Sequence, residues 1–260
     1  MSVALPARAK LNLDLEVLGR RTDGFHDVRT TLQAIDLHDL ITLAPADRTT
    51  LTTTGLALGD ARNNSVLKAL AALEQATQKE LPTRIHLHKR IPPGSGMGGA
   101  SSDAATTLRA LASMHHLTAD LAAIASALGA DIPFFLAGGA AIADQRGDHL
   151  TPIPTQPQWF AIAWPRVELP TPDVYRAWDA MKSPPKNEPN ELTEAAMSIE
   201  PRLREFANAL NSHQSGWQMT GSGSAFFKRC GSEQAAVASA AELSGMKCWA
   251  ASAQAVGGWA

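Results

Sequence analysis

Residues 91–105 constrain this chain most, because they place four glycines within six positions and then continue as an alanine-rich helical pattern. Glycine lets a backbone bend tightly and approach a ligand without a Cβ in the way. Ser101, Ser102 and Asp103 are suited to cap a helix and fill its first turn. A helix N-terminus presents unpaired N–H groups and a partial positive charge. The pattern therefore predicts a loop that cradles phosphate and leads into a helix.

Two familiar phosphate-binding patterns test this interpretation. The run does not end in Gly-Lys-Ser/Thr, which excludes the Walker-type P-loop. Residues 94–99 match G-x-G-x-x-G by letter, yet Pro92 and Pro93 precede them where a dinucleotide-binding fold has a strand. A glycine pattern alone is equally typical of tight turns, so both interpretations stay open at this point. The length of the run and its Pro-Pro start favour the phosphate site.

Length and composition limit the class of protein. A chain of 260 residues can bury a sizeable core as one two-lobed unit. Its formal net charge of −2 gives no general attraction to nucleic acid or to an anionic membrane. The first residues lack the apolar segment of a signal peptide, and no stretch reaches the ~20 apolar residues of a membrane span. We therefore expect a cytoplasmic protein that holds any phosphate by local geometry.

Hydrophobic periodicity predicts strands and helices mixed along the chain, which indicates an α+β fold. Strands are predicted over residues 10–17, 84–88, 140–143, 159–164 and 247–253, a pair of strands over 30–43 with a break at 36–39, and a glycine-rich turn between strands over 216–230. Helices are predicted over residues 64–78, 104–114, 119–128, 173–181, 201–211 and 233–243. Three prolines within residues 151–157 mark the best boundary, so we predict one lobe over 1–153 and another over 154–260.

The glycine run resembles the ATP-binding motif of the GHMP kinases, which include galactokinase, homoserine kinase, mevalonate kinase and phosphomevalonate kinase. Their pattern is Pro-x-x-x-Gly-Leu-Gly-Gly-Gly-Ser-Ser, and here Met97 stands for the leucine and Ala100 for a glycine. The resemblance implies a two-lobed kinase with its active site between the lobes and with ATP and Mg²⁺ as cofactors. It assigns ATP binding in the N-terminal lobe to Pro92, Pro93, Gly94, Ser95, Gly96, Met97, Gly98, Gly99, Ala100, Ser101 and Ser102, with Asn64 and Lys89 on the nucleotide side.

Four further segments resemble one branch of these kinases, which phosphorylates 4-diphosphocytidyl-2-C-methyl-D-erythritol in non-mevalonate isoprenoid biosynthesis. Residues 6–13 and 19–26 match Ala-Lys-Leu-Asn-Leu followed by Gly-x-Arg-x-Asp-Gly-Tyr-His, with Phe25 in place of the tyrosine. That change keeps a stacking face and loses a phenolic hydroxyl. Residues 127–135 and 169–172 match the branch as well, and residues 219–225 resemble the third motif of the GHMP kinases, a glycine turn near the triphosphate. The resemblance implies a small-molecule kinase, monomeric or homodimeric, without nucleic-acid or membrane partners.

Lys10 and Asp131 are the candidate catalytic residues. From the residues alone, Asp131 is more typical of a carboxylate held by N–H groups at a helix end, and Lys10 of a solvated strand residue. The resemblance instead implies that Asp131 accepts the proton of the acceptor hydroxyl, while Lys10 keeps that carboxylate ionised. Asn12 lies on the same face of the strand as Lys10 and is a candidate substrate ligand.

Phe25, His26, Thr171 and Tyr175 are the other candidate substrate-binding residues. The resemblance assigns Phe25 and His26 to the cytosine, where the ring stacks and the imidazole reads the base edge. It places Tyr175, beyond the turn that contains Thr171, as a second stacking face. Tyr175 is equally suited to fill a core, and Asn64 is equally suited to cap the helix that follows it.

The sequence offers little for a metal site of the protein's own. His86 with His88, and His115 with His116, lack companion carboxylates or cysteines, and the two cysteines form no C-x-x-C motif. Mg²⁺ is expected to arrive on the ATP phosphates, with the Ser102 hydroxyl as the candidate protein ligand.

Three alternatives remain. A GHMP kinase for homoserine or mevalonate fits the cradle, but neither substrate has a base to stack on Phe25. A nucleotide-binding regulator without catalysis fits less well, because Lys10 and Asp131 are present. A dinucleotide-dependent oxidoreductase would need an acid at the end of a second strand, and Asp120 lies instead at a predicted helix start.

Overall fold

The computed structural model describes residues 2–57 and 64–259, and it shows a mixed α+β chain built on two sheets. The first sheet has seven strands in the order β4-β5-β3-β6-β7, with β1 and β2 also paired to β3. Its strands are β1 (Val3–Asn12), β2 (Glu16–Arg20), β3 (His26–Pro45), β4 (Thr50–Gly55), β5 (Thr83–Lys89), β6 (Ala140–Asp144) and β7 (His149–Ile153). The 20-residue β3 pairs with β1, β2, β5 and β6 and so organises the sheet.

Four helices accompany the first sheet and share a core with it. They are α1 (Ser65–Thr77), α2 (Gly99–Met114), α3 (Leu121–Leu128) and α4 (Ile132–Ala137). One buried cluster joins the helices to the sheet, and it contains Leu70 and Leu73 of α1, Leu108 and Leu111 of α2 and Ile41 of β3. This burial fixes α2, and therefore the loop before it, against the strands.

The second sheet has four strands in the order β11-β8-β10-β9. They are β8 (Trp159–Trp164), β9 (Gln218–Met219), β10 (Phe226–Cys230) and β11 (Trp249–Gln254). The helices that accompany it are α5 (Thr171–Ala180), α6 (Thr193–Ile199), α7 (Arg202–His213) and α8 (Glu233–Ala241), followed by a short 3-10 helix (Glu242–Gly245). The change of sheet lies between the end of β7 and the start of β8.

Another buried cluster joins the two sheets. Ala9 and Leu11 of β1 and Ile35 of β3 pack with Phe160 of β8 and Phe227 of β10. The two phenylalanine rings meet edge to face, with centroids 5.8 Å apart. Because β1 is buried on this side, its remaining face is available to the cleft between the sheets.

The predicted helices are confirmed, with shifts at their ends. Asn64 caps α1, since its side chain accepts a hydrogen bond from the Val66 N–H at 3.0 Å. The helix predicted from residue 104 begins five residues earlier, at Gly99. Helices α4 and α6 and strands β4 and β7 were not predicted, because they are short or lack a clear period.

Two strand predictions were wrong. The pair over residues 30–43 is one continuous strand, β3, because the acidic residues that suggested a turn are held by tertiary contacts: Asp39 binds Lys89, and Asp36 accepts from the Gln254 N–H. The strand predicted over 10–17 is interrupted after Asn12, where the Asp14 carboxylate accepts from the Thr31 N–H at 2.6 Å. Within residues 2–57 and 64–259, the helices are all too short or too polar to span a bilayer.

Candidate active site

A cleft of about 520 Å³ lies where the glycine run meets β1, β3, the start of α4 and the start of α5. Most of the predicted site residues line it: Lys10, Asn12, Asn64, Lys89, Pro92, Pro93, Gly94, Ser95, Gly96, Gly98, Gly99, Ala100, Ser101, Asp131, Thr171 and Tyr175. As far as the structure describes the chain, four predicted site residues do not line the cleft: Phe25, His26, Met97 and Ser102. The cleft thus brings together residues that are more than 150 positions apart in the chain.

The cradle loop, residues 91–98, is shaped by glycines at two points where a side chain would not fit. Gly98, the N-cap of α2, has φ +71°, and a Cβ there would lie 2.6 Å from Cζ of Phe135. Gly96 has φ +80°, and a Cβ there would lie 2.3 Å from the Thr220 carbonyl oxygen. Both positions therefore require glycine for conformation and for space. Ala100 lies inside the first turn of α2 and outside the set of positive-φ residues, so its methyl group is compatible with the helix.

The cradle loop rests on a second glycine-rich segment, the glycine turn of residues 220–224. The Ala225 N–H donates to the Ser95 carbonyl at 3.0 Å, and the Ser224 N–H donates to the Gly94 carbonyl at 3.3 Å. On the other side, the Lys10 N–H donates to the Met97 carbonyl at 3.0 Å, at the point where the β1–β3 register shifts. Met97 is fully buried and anchors the loop while the glycines face the cleft.

The first turn of α2 faces the cleft. Gly99, Ala100 and Ser101 line it, and the N-cap residue before them is a glycine, which has no side chain to cover their N–H groups. The 16-residue helix directs the positive end of its dipole at this point. A phosphate group in the cleft would meet backbone donors and a favourable field.

Lys10 and Asp131 meet across the cleft. Nζ of Lys10 lies 3.9 Å from Oδ2 of Asp131, and the two side chains are 5% and 43% exposed. The ammonium group also donates to Oδ1 of Asn12, whose amide in turn donates to Thr30 Oγ1 at 2.8 Å. Burial lowers the pKa of Lys10, and the charge of Asp131 opposes that shift. Lys10 is thus held by its own strand and directed at a partly exposed carboxylate.

Asp131 does not cap the helix that follows it. It precedes α4, and among the described residues its side chain makes no capping hydrogen bond. The alternative that backbone N–H groups hold this carboxylate is therefore not what the structure shows. The carboxylate remains available to a substrate hydroxyl.

His26 is buried beside three residues of α5. Its Nε2 lies 2.7 Å from Oδ1 of Asp179, and its ring stacks on Tyr175 with centroids 4.7 Å apart and planes 23° apart. Trp178 meets it edge-on at 5.7 Å. Burial and, to a lesser extent, the charge of Asp131 raise the pKa of Tyr175. Tyr175 thus both packs against His26 and lines the cleft.

Phe25 lies at the surface. It is 53% exposed, and the guanidinium carbon of Arg146 lies 5.3 Å from its ring centre. Arg146 itself lines the cleft, so the ring lies at the margin of the site.

Thr171 contacts the glycine turn, because its hydroxyl oxygen lies 2.8 Å from that of Ser222.

A buried cluster beside the cradle was not predicted. Nζ of Lys89 binds Asp39 and also Oδ2 of Asp103, the latter at 2.7 Å. The second oxygen of Asp39 accepts from the N–H groups of Arg90 and Ile91 at 2.5 and 2.9 Å. Burial alone would lower the pKa of Lys89, but the two carboxylates raise it. The sequence signal is the acidic pair Asp36 and Asp39 inside an apolar segment, which by itself predicts a break between two strands.

The residues of the cleft fit Mg²⁺ as a companion of phosphate. Mg²⁺ prefers oxygen ligands and usually keeps water and phosphate among them. Over residues 2–57 and 64–259, no group of three or more His, Cys, Asp or Glu is placed to hold a metal. Ser101 and Asp131 supply oxygen atoms at the cleft, whereas Ser102 is buried in α2.

Known proteins resemble this chain along most of its length. Residues 64–139 match the family described as GHMP kinases N terminal domain. A 4-diphosphocytidyl-2-C-methyl-D-erythritol kinase from Pseudomonas entomophila (strain L48) is 37% identical over 237 residues, which cover 86% of this chain and 83% of that protein. A protein of the same name from Vibrio cholerae serotype O1 (strain ATCC 39541 / Classical Ogawa 395 / O395) is 36% identical over 253 residues, which cover 92% of this chain and 87% of that protein.

Solved structures agree with the sequence relatives. A crystal structure of 4-(cytidine 5'-diphospho)-2C-methyl-D-erythritol kinase superposes with a TM-score of 0.83 at 33% identity, covering 98% of this chain and 100% of that one. A homoserine kinase from Cytophaga hutchinsonii ATCC 33406 shares the fold with a TM-score of 0.70 at 18% identity, covering 99% of this chain and 95% of that one. The chain therefore belongs to the 4-diphosphocytidyl-2-C-methyl-D-erythritol kinase family, within the GHMP kinases.

Proposed function

We propose that this kinase transfers the γ-phosphoryl group of ATP to the 2-hydroxyl of 4-diphosphocytidyl-2-C-methyl-D-erythritol, giving the 2-phosphate and ADP. The observation that carries the proposal is the placement of Lys10 and Asp131 across one cleft from the cradle loop and the start of α2. Phosphoryl transfer needs charge stabilisation, an acceptor in line and a place for the hydroxyl proton. The cleft offers residues for each of these tasks.

Asp131 is the proposed general base. Its carboxylate is partly exposed in the cleft, where a substrate hydroxyl can donate to it. The ammonium group of Lys10, 3.9 Å from this carboxylate, lowers the cost of negative charge on the acceptor oxygen. Asn12 orients Lys10 by accepting one of its hydrogen bonds.

The proposed ATP site is the cradle loop with the first turn of α2. The N–H groups of Gly99, Ala100 and Ser101 are suited to the phosphates, and Asn64 and Lys89 line the same cleft. Mg²⁺, when bound with ATP, would neutralise phosphate charge, and Ser101 is the protein oxygen at the first turn of α2 that would share it. Ser102 supports the helix from inside rather than reaching the cleft.

The proposed cytosine site lies at the margin of the cleft, beside the exposed ring of Phe25 and the ring of Tyr175. His26 is fixed by Asp179 through Nε2, which leaves its remaining edge to read the base. Residues 1–153 and 154–260 are the proposed lobes, and the cytoplasm is the proposed location.

An ADP-release assay tests the proposal directly. The cytidine substrate is offered beside homoserine, mevalonate and galactose at equal concentrations, with ATP and Mg²⁺. We expect turnover with the cytidine substrate alone and its near-complete loss in Asp131→Asn. Faster ADP release with homoserine or mevalonate would assign the chain to another substrate, and retention of turnover in Asp131→Asn would remove the proposed base.

A further inference from the structure

The segment of residues 257–259, which follows β11, crosses the end of α4. Gly258 forms an antiparallel bridge with Gly138. The Trp259 N–H donates to the Ala137 carbonyl at 3.0 Å, and its indole Nε1–H donates to the Phe135 carbonyl at 3.0 Å. These two bonds satisfy carbonyls at the C-terminal end of α4 that the helix itself leaves free.

The same indole is held by arginines from two other elements. The guanidinium carbons of Arg8 and Arg109 lie 4.2 and 4.5 Å from its ring centre. Arg8 also donates to the Gly257 carbonyl at 3.1 Å. Two cations this close repel each other, and the electron-rich face of the indole offsets that repulsion. Trp259 therefore contributes to holding both arginines at this place.

Each element that touches Trp259 carries part of the catalytic cleft. Arg8 lies in β1, two residues before Lys10, and Arg109 lies in α2, whose first turn faces the cleft. Helix α4 is six residues long and starts directly after Asp131. A helix this short is not stable by itself, so its position depends on contacts at its ends and sides.

The side of α4 contacts the cradle as well. The Phe135 ring lies so close to Gly98 that a Cβ there would be 2.6 Å away. Trp259 binds the carbonyl of that same residue, Phe135. Loss of the indole would remove the bond to the Phe135 carbonyl and the two arginine contacts, and only the backbone bond to Ala137 and the Gly258–Gly138 bridge would still hold the end of α4.

We infer that Trp259 is a positioning residue, which fixes α4 through Phe135 and Ala137 so that Asp131 stays opposite Lys10. This inference rests on the proposed role of Asp131 as base. Misplacement of a reacting group by ~1 Å can cost about 100-fold in rate. The effect should therefore be large on turnover and small on nucleotide binding, since the cradle keeps its contacts with the glycine turn.

Two variants of Trp259 and one matched control test it. Trp259→Ala removes the ring and the indole donor, and Trp259→Phe keeps a face for the arginines but loses the donor. Trp159→Ala removes a similarly half-buried indole from β8, away from the cleft. We expect kcat to fall about 10- to 100-fold in Trp259→Ala, less in Trp259→Phe, and little in Trp159→Ala, with the KM for ATP unchanged in all three.

Amide hydrogen exchange supplies a readout that does not depend on the substrate. Trp259→Ala should raise exchange over residues 132–138 selectively, and Trp159→Ala should not. An inactive wild-type chain would refute the proposed function, and the exchange result would still decide whether Trp259 holds α4. Unchanged exchange in α4, or wild-type kcat in a Trp259→Ala variant, would overturn the inference.

Discussion

Replacing Asp103 with asparagine tests whether ionisation of this carboxyl group destabilises the buried cluster around Lys89. Asp103 is 2% exposed and shares the single ammonium group of Lys89 with Asp39. Its Oδ1 has no hydrogen-bond partner within the described residues. The pKa of Asp103 is raised from 3.8 to about 7, because desolvation and the charge of Asp39 together outweigh the attraction of Lys89. Asp103 therefore keeps its proton in the folded protein at pH values where the unfolded chain has released it.

This raised pKa sets the sign of the pH dependence. The folded state binds more protons than the unfolded state between about pH 4 and pH 7, so the free energy of unfolding falls as the pH rises through that window. About three pKa units at about 1.36 kcal/mol each give an upper limit of about 4 kcal/mol. Asparagine keeps the shape of the protonated acid and does not ionise. Asp103→Asn should therefore exceed wild type in stability above pH 7, and the difference should vanish near pH 4.

Urea unfolding at four pH values between 4 and 8 measures the difference. Asp47→Asn, which changes an exposed carboxylate, is the matched control and should follow the wild-type curve at each pH. Parallel curves for Asp103→Asn and wild type would show that Asp103 does not change its protonation in this range. Lower stability of the variant at pH 8 would mean that Lys89 needs both carboxylates ionised, which contradicts the reasoning.

Three further predictions concern the cleft. Asp131→Asn should reduce kcat by about 100-fold or more in the ADP-release assay, with ATP affinity by calorimetry unchanged; near-normal kcat would exclude this base. Gly98→Ala should lose ATP affinity and lower the Tm, because its Cβ meets Phe135 at 2.6 Å with φ +71°; Ala100→Gly is the control and should keep ATP affinity. Phe25→Ala should raise the KM of the cytidine substrate about 10- to 100-fold, as expected for the loss of a base stack of ~1–3 kcal/mol. Phe25→Tyr keeps the ring and should leave this KM nearly unchanged. If Phe25→Ala changes the KM of ATP instead, Phe25 belongs to the ATP site and the assignment of the two nucleotide sites is reversed.

The sequence predicted best what short-range patterns determine. The cap at Asn64, the glycine run and the α2 pattern depend on neighbours within a few positions, and the structure has them close to where they were expected. The pairing of Lys10 with Asp131 came from resemblance alone. No local rule brings a strand residue within 3.9 Å of one that lies 121 positions later.

The parts that were missed depend on tertiary contacts. Asp39 is the clearest case, because a carboxylate within an apolar strand is costly to bury until Lys89 is brought to it by β5. From the sequence alone, a break between two strands explains the acidic residues without burying a charge. Trp259 is a second case, since its partners Arg8 and Arg109 lie on two separate elements.

The Asp39 cluster also changes how the cleft should attract phosphate. Lys89 lines the cleft, but Asp39 already compensates its charge, and ionisation of Asp103 above its pKa of about 7 gives the cluster a net charge of −1. Asp39 meanwhile holds the N–H groups of Arg90 and Ile91, and so fixes the direction in which the chain enters the cradle loop. Lys89 therefore contributes mainly by ordering that loop. In the proposed site, the first turn of α2 and Lys10 would supply the attraction for the phosphates, which is a local field suited to a protein whose overall charge is slightly negative.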